Sequence, residues 1–216
     1  MINVRFAMYL AVSLLIGMIT REYARSLVAS RLNDPTPRLW GRLTMNPKSW
    51  FEPFGSGMLP ALILLLWAAG STFLPPPVAY AKPAPVDPSY FRNRTRDTVL
   101  TALAGPSANL ASAAFAGMIL RVGVGGQIQL ATLAFLLTSL SLMIFHLVPI
   151  PGLDGARILA LALPTRAAEV YRNADQYLPL IVLVMLFLFA GPLIAIVRSL
   201  TDSLCMLLAG FTCYGT

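Results

Sequence analysis

Histidine occurs once in these 216 residues, at His146, so the chain cannot assemble a metal site that needs two imidazoles. Charge is scarce too. Asp, Glu, Lys and Arg make up 12% of the residues, about half of what a soluble domain carries. A chain so poor in charge and 57% apolar is expected to be a membrane protein. Cysteine is limited to Cys205 and Cys213, without C-x-x-C spacing. That spacing points to neither a metal site nor a redox pair, and two buried thiols are expected. Acidic residues are few beside Lys and Arg, 9 against 16, for a net charge of +7. Basic residues in short loops fix membrane orientation and meet anionic headgroups. No aromatic-and-basic platform accompanies them, so nucleic acid is not expected as a partner.

What the chain has in abundance is long apolar runs. Crossing about 30 Å of hydrocarbon takes about 20 helical residues. Five spans are expected near residues 4–20, 56–74, 98–120, 128–149 and 178–197. A sixth segment around 200–212, broken by Asp202 and Gly210, continues the fifth helix or lies at the interface. Arg5 before the first run imitates a signal peptide, but no small-x-small cleavage site follows, so the run is expected to be retained. With five spans, loops 21–55 and 121–127 share one side, and loops 75–97 and 150–177 the other. Each side then holds seven Lys and Arg residues, and the positive-inside rule does not choose an orientation.

Two stretches break the helical pattern. Between Pro35 and Pro53 the run Arg38 to Met45 alternates polar and apolar residues, which predicts a short extended or β segment after the first helix. Residues 75–88 are too rich in proline to be helical. Exposed backbone in lipid is costly, so these stretches are expected to pair with one another or to lie at the interface. The fold class is thus an all-α membrane bundle of about five or six helices, in one domain over 1–216.

The chemistry-bearing stretch is Thr20-Arg21-Glu22-Tyr23-Ala24-Arg25. It has the spacing of H-E-x-x-H, in which imidazoles four apart share a helix face with a glutamate base beside them. Here both imidazole positions are arginines, and a guanidinium offers a metal no lone pair. Asn109 follows the small-residue run Ala104-Gly105-Pro106-Ser107-Ala108 and is expected to face the bundle and bond across it. Pro149-Ile150-Pro151-Gly152-Leu153-Asp154-Gly155 breaks the fourth span and can present Asp154 to the interior.

In order, these motifs resemble those of the site-2 protease family of intramembrane zinc metalloproteases, especially its minimal bacterial branch. The motif region is 14–160, followed by membrane helices within 178–212. The resemblance takes in Asn33-Asp34-Pro35-Thr36, Gly41 to Pro47 and the lysine-proline loop Ala81 to Pro88. It implies Glu22 at the general-base position, Asp154 at the third-ligand position, and Arg21 and Arg25 at the two histidine positions. His146 stands where the family usually has an asparagine thought to hold substrate. Trp50-Phe51-Glu52-Pro53 replaces a segment that often carries another histidine.

The resemblance brings Arg21 and Arg25 near Asp154, so an ion-pair cluster with Glu22 is expected in place of the metal. Alternatively, the two arginines snorkel from the helix end to the headgroups. His146 either packs, with a ring nitrogen on a carbonyl freed by Pro149 or Pro151, or joins Asp154 and Glu22 around a metal. The leading expectation is a protein without protease activity or cofactor. It would serve as a scaffold or helix-binding subunit beside other integral membrane proteins and lipid in the bacterial inner membrane. The alternatives are an active metalloprotease with non-standard ligation and a pigment-, lipid- or quinone-associated subunit.

Overall fold

The computed structural model describes residues 2–70, 75–188 and 190–214. Helix α1 (Ile2–Arg31) carries no charge between Arg5 and Arg21, which suits its length to a bilayer. It stops at Asn33, whose φ of 73° is the left-handed geometry of a helix C-cap, and Asp34 N donates back to Ala29 O at 3.1 Å. Buried Asp34 then accepts from Thr36 N at 2.9 Å and from Asp87 N at 2.9 Å, while Thr36 Oγ1 donates to Pro85 O at 3.1 Å. The exit of α1 is thereby tied to the proline-rich stretch.

Next come α2 (Thr36–Leu39), a 3₁₀ turn at Pro47–Trp50, a π turn at Pro53–Met58 and α3 (Leu59–Ala68). Residues 75–87 run back beside this unit as extended chain. Trp67 Nε1 donates to Pro75 O at 2.9 Å, Tyr80 N to Gly55 O at 3.1 Å and Lys82 N to Trp50 O at 3.0 Å. The two irregular stretches therefore touch, through the backbone bond from Lys82 to Trp50 and the side-chain bond from Thr36 to Pro85. No strand forms among the described residues, because prolines interrupt the ladder and the 35–53 stretch coils into short helical turns.

Helix α4 (Arg94–Arg121) opens on a reciprocal cap: Asn93 accepts from Arg96 N at 3.1 Å, and Asp97 accepts from Asn93 N at 3.0 Å. Helix α5 (Gly126–Leu147) returns beside it, and α1, α4 and α5 pack together as the centre of the molecule. After α5 come α6 (Asp154–Ala162), α7 (Thr165–Asn173), α8 (Leu178–Leu188) and α9 (Ala190–Ala209).

Among the described residues, three helices are long and apolar enough to cross a membrane: Val4–Arg31, Arg94–Arg121 and Gly126–Leu147. The expected span at 56–74 is the shorter apolar helix Pro53–Ala68, and its tail at 71–74 lies outside the described residues. Helix α9 runs through both the end of the fifth expected span and most of the sixth segment, stopping at Gly210 with φ 88°. The junction at 189 also lies outside the described residues. Outward faces are apolar, with Met8, Val12 and Ile16 exposed on α1 and Phe115 and Met118 on α4, as a lipid-facing surface requires.

Cys205 and Cys213 form a disulfide rather than two thiols. Gly210 reverses the chain, so Cys213 returns to the last turns of α9 with its Cα 5.9 Å from that of Cys205. The division of loops between two sides also changes. Because 75–87 runs back beside 50–67, the connections 32–52, 82–93 and 148–177 gather at one end of the bundle. They contain Arg38, Arg42 and Lys48, then Lys82 and Arg92, then Arg157, Arg166 and Arg172. Connections 122–125 and 210–214, at the opposite end, contain no Lys or Arg. There Arg121 of α4 donates to the carbonyl of Leu208 in α9 at 2.7 Å, and Tyr9 donates to Gln127 at 2.8 Å.

Candidate functional site

Arg21, Glu22 and Arg25 lie on the last third of α1, and Asp154 opens α6. The structure brings all four together in the interior, each no more than 3% exposed. Two close approaches permit this. A Cβ on Gly105 of α4 would lie 2.7 Å from Arg21 Cγ, so the missing side chain makes room for the guanidinium arm. A Cβ on Gly155 would lie 2.1 Å from Leu147 O, so only glycine lets α6 start against the end of α5. The positive φ of Gly152, 91°, turns the chain between them.

Arg21 bridges the two carboxylates, one terminal nitrogen on Glu22 Oε1 and the other on Asp154 Oδ2. Arg25, one turn further on, holds Glu22 Oε2 and Asp154 Oδ1 more loosely, at 3.8 Å each. A fifth member is Arg157, whose Nη1 lies 3.4 Å from Asp154 Oδ1. Sequence reasoning did not name it, although Asp154 and Arg157 are three apart at a helix start and so share a face. Three guanidiniums thus face two carboxylates.

The other expected site residues divide. His146 is buried, and its Nδ1 lies 2.9 Å from Leu142 O, one turn back in its own helix. The expected partner, a carbonyl freed by the prolines, is not used, because α5 stays helical to Leu147 and offers its own carbonyl first. Asn109 is fully buried beside α1 and α5, but its amide makes no hydrogen bond to the described residues, so the expected bond across the bundle is absent. Trp50 is a core side chain whose Nε1 donates to Thr44 O at 2.9 Å, and Glu52 caps the π turn through Gly55 N.

The chain is 31% identical over 196 residues to a Bacillus subtilis protein named "Putative zinc metalloprotease YwhC", covering 86% of this chain and 81% of the relative. It is also 31% identical over 177 residues to "Putative zinc metalloprotease Rip2" of Mycobacterium tuberculosis, covering 81% of this chain and 64% of that protein. The chain belongs to the site-2 protease family of zinc metalloproteases. No protein-family profile and no solved structure matches it. The names of these relatives overturn the expectation that the chain is not an enzyme, because the family it belongs to is one of proteases.

Membership in this family implies zinc, and the donors present can be tested against it. Zinc takes lone pairs from nitrogen, sulfur or carboxylate oxygen. Arg21 and Arg25 have none to give, and both carboxylates already face guanidiniums. Among the described residues no group of three His, Cys, Asp or Glu side chains stands where one ion could join them. The residues at this centre do not fit zinc. What they can do is brace α1 against α6, since a buried charge stays stable only beside its opposite.

Proposed function

We propose that the chain is an integral membrane protein of the bacterial inner membrane, in the minimal bacterial branch of its family. In this reading it is a helix-binding and scaffold subunit of a larger assembly of membrane proteins. The observation that carries the proposal is the buried cluster, in which Arg21 joins Glu22 to Asp154 and so fixes α1 to α6. Next to this brace lies a groove of about 320 Å³ between α1 and α3, walled by Leu14, Leu15, Met18, Pro60, Ala61 and Leu64. An apolar groove between helices takes a further helix by close packing, with surrounding lipid as the competing occupant.

The test is a photo-crosslinking amino acid at Leu15 in the native host, compared with one at Met118 on the outward face of α4. The proposal expects Leu15 to capture the membrane segment of one defined protein and Met118 to capture only lipid. Lipid adducts alone from both positions would overturn it.

A second reading, intramembrane proteolysis, is favoured by the names of the relatives. Under it, the segment captured at Leu15 is recovered in two fragments from cells with the natural chain, and Glu22→Gln leaves it whole. An uncut segment in both strains counts against that reading.

A further inference from the structure

The basic end of the molecule contains a cavity of about 420 Å³, distinct from the apolar groove and sharing Arg25 and Arg157 with the buried cluster. Five cations from separate parts of the chain line it: Arg25 from α1, Arg42 and Lys82 from the two paired stretches, Arg94 from α4 and Arg157 from α6. Asp175 is the acidic residue among the described lining side chains.

Cations at a helix end ordinarily reach out to headgroups, but two of these cannot. Arg42 is 7% exposed, held by donation to Ser49 O and by the Trp50 ring 5.1 Å from its guanidinium carbon. Arg25 is 3% exposed, its Nε makes no hydrogen bond, and both its carboxylate contacts are 3.8 Å long, beyond hydrogen-bond length. A buried guanidinium this loosely held, on the wall of a cation-lined cavity, has donors to offer an anion. Four planar guanidiniums and one ammonium suit the oxygens of a phosphate group. The remaining wall is apolar, with Pro83, Pro85 and Leu161, and the volume is that of a small-ligand site.

We infer that this cavity binds a phosphate-bearing anion, with Lys82 and Arg94 at its exposed side and Arg25 at its floor. The same chemistry is found in an anionic lipid headgroup and in free phosphate, and the test separates them. The full chain in dodecyl maltoside is titrated with dioctanoyl phosphatidylglycerol and, separately, with inorganic phosphate. Tryptophan fluorescence is followed, since Trp40 lines the cavity.

Saturation by the lipid alone assigns the site to a headgroup, and saturation by both ligands assigns it to phosphate itself. Lys82→Gln and Arg94→Gln, both at exposed positions, should each weaken the apparent Kd about tenfold. Arg166→Gln, an exposed cation at the same end outside the cavity, should leave it unchanged. Helical circular dichroism selects the folded variants, and either cavity variant suffices. No saturation with either ligand, or an equal loss in Arg166→Gln, would overturn the inference in favour of diffuse attraction to a basic surface.

Discussion

Single residues decide how the cluster fits together, and glycines do so as much as charges. At Gly155 an added methyl would meet the backbone oxygens of Leu147 and Val148, 2.1 and 2.7 Å away, and backbone cannot swing aside. At Gly105 it would meet the arm of Arg21, which has rotamers to try. Gly155→Ala should therefore cost about 3 kcal/mol and Gly105→Ala about 1 kcal/mol, read by thermal unfolding in detergent. Equal losses would mean that α6 is free to shift away from α5. Four of the five charged members, Arg21, Glu22, Arg25 and Asp154, were legible because spacing puts the two arginines on one helix face and the family resemblance sets that helix near Asp154. Arg157 was not, since an Asp and an Arg three apart are common on exposed helices and reveal nothing until burial is known. Nor was the partner of His146, because a polar residue on a helix can meet a neighbouring helix or its own backbone equally well.

The long uninterrupted helices were the most readable elements. Spans expected at 4–20 and 98–120 lie within α1 and α4, and that at 128–149 overruns the end of α5 by two residues; all three helices have apolar runs long enough for a bilayer. The segment that misled was 56–74. Hydropathy alone extends it as one helix, whereas α3 ends at Ala68 and Gly70 takes φ 66°. The extended chain anticipated at 35–53 lies instead at 75–87, where proline forbids helix but permits single backbone bonds to a neighbour. The disulfide was missed for a related reason. Eight residues of separation says nothing about distance until a glycine reverses the chain after a helix. Maleimide added to unfolded protein without reductant should therefore label neither Cys205 nor Cys213, and should label both after reduction. Labelling without reductant would show that the natural pair is two thiols.

Taken whole, the molecule is polar in its charge distribution as well as in its topology. Correcting one hairpin turns an even count of loop cations into eight at one end and none in the connections at the other. By the positive-inside rule, the end with the cluster and the cation-lined cavity is expected to face the cytoplasm. The disulfide lies at the other end, and an oxidising compartment is where disulfides persist. Alkaline phosphatase fused after Thr216 should consequently be active and a fluorescent protein there dark, and the reverse pattern would invert the orientation. Within this asymmetric frame, packed chiefly through α1, α4 and α5, Arg21 and Asp154 pair the first membrane helix with the short helix after α5. The decisive measurement is a double-mutant cycle of Arg21→Met and Asp154→Leu by reversible unfolding in detergent. Each single change should cost about 3–5 kcal/mol by stranding a buried charge, and the double change should cost less than either. Losses that add within about 0.5 kcal/mol would show that the two residues do not act on one another, and the brace would be refuted.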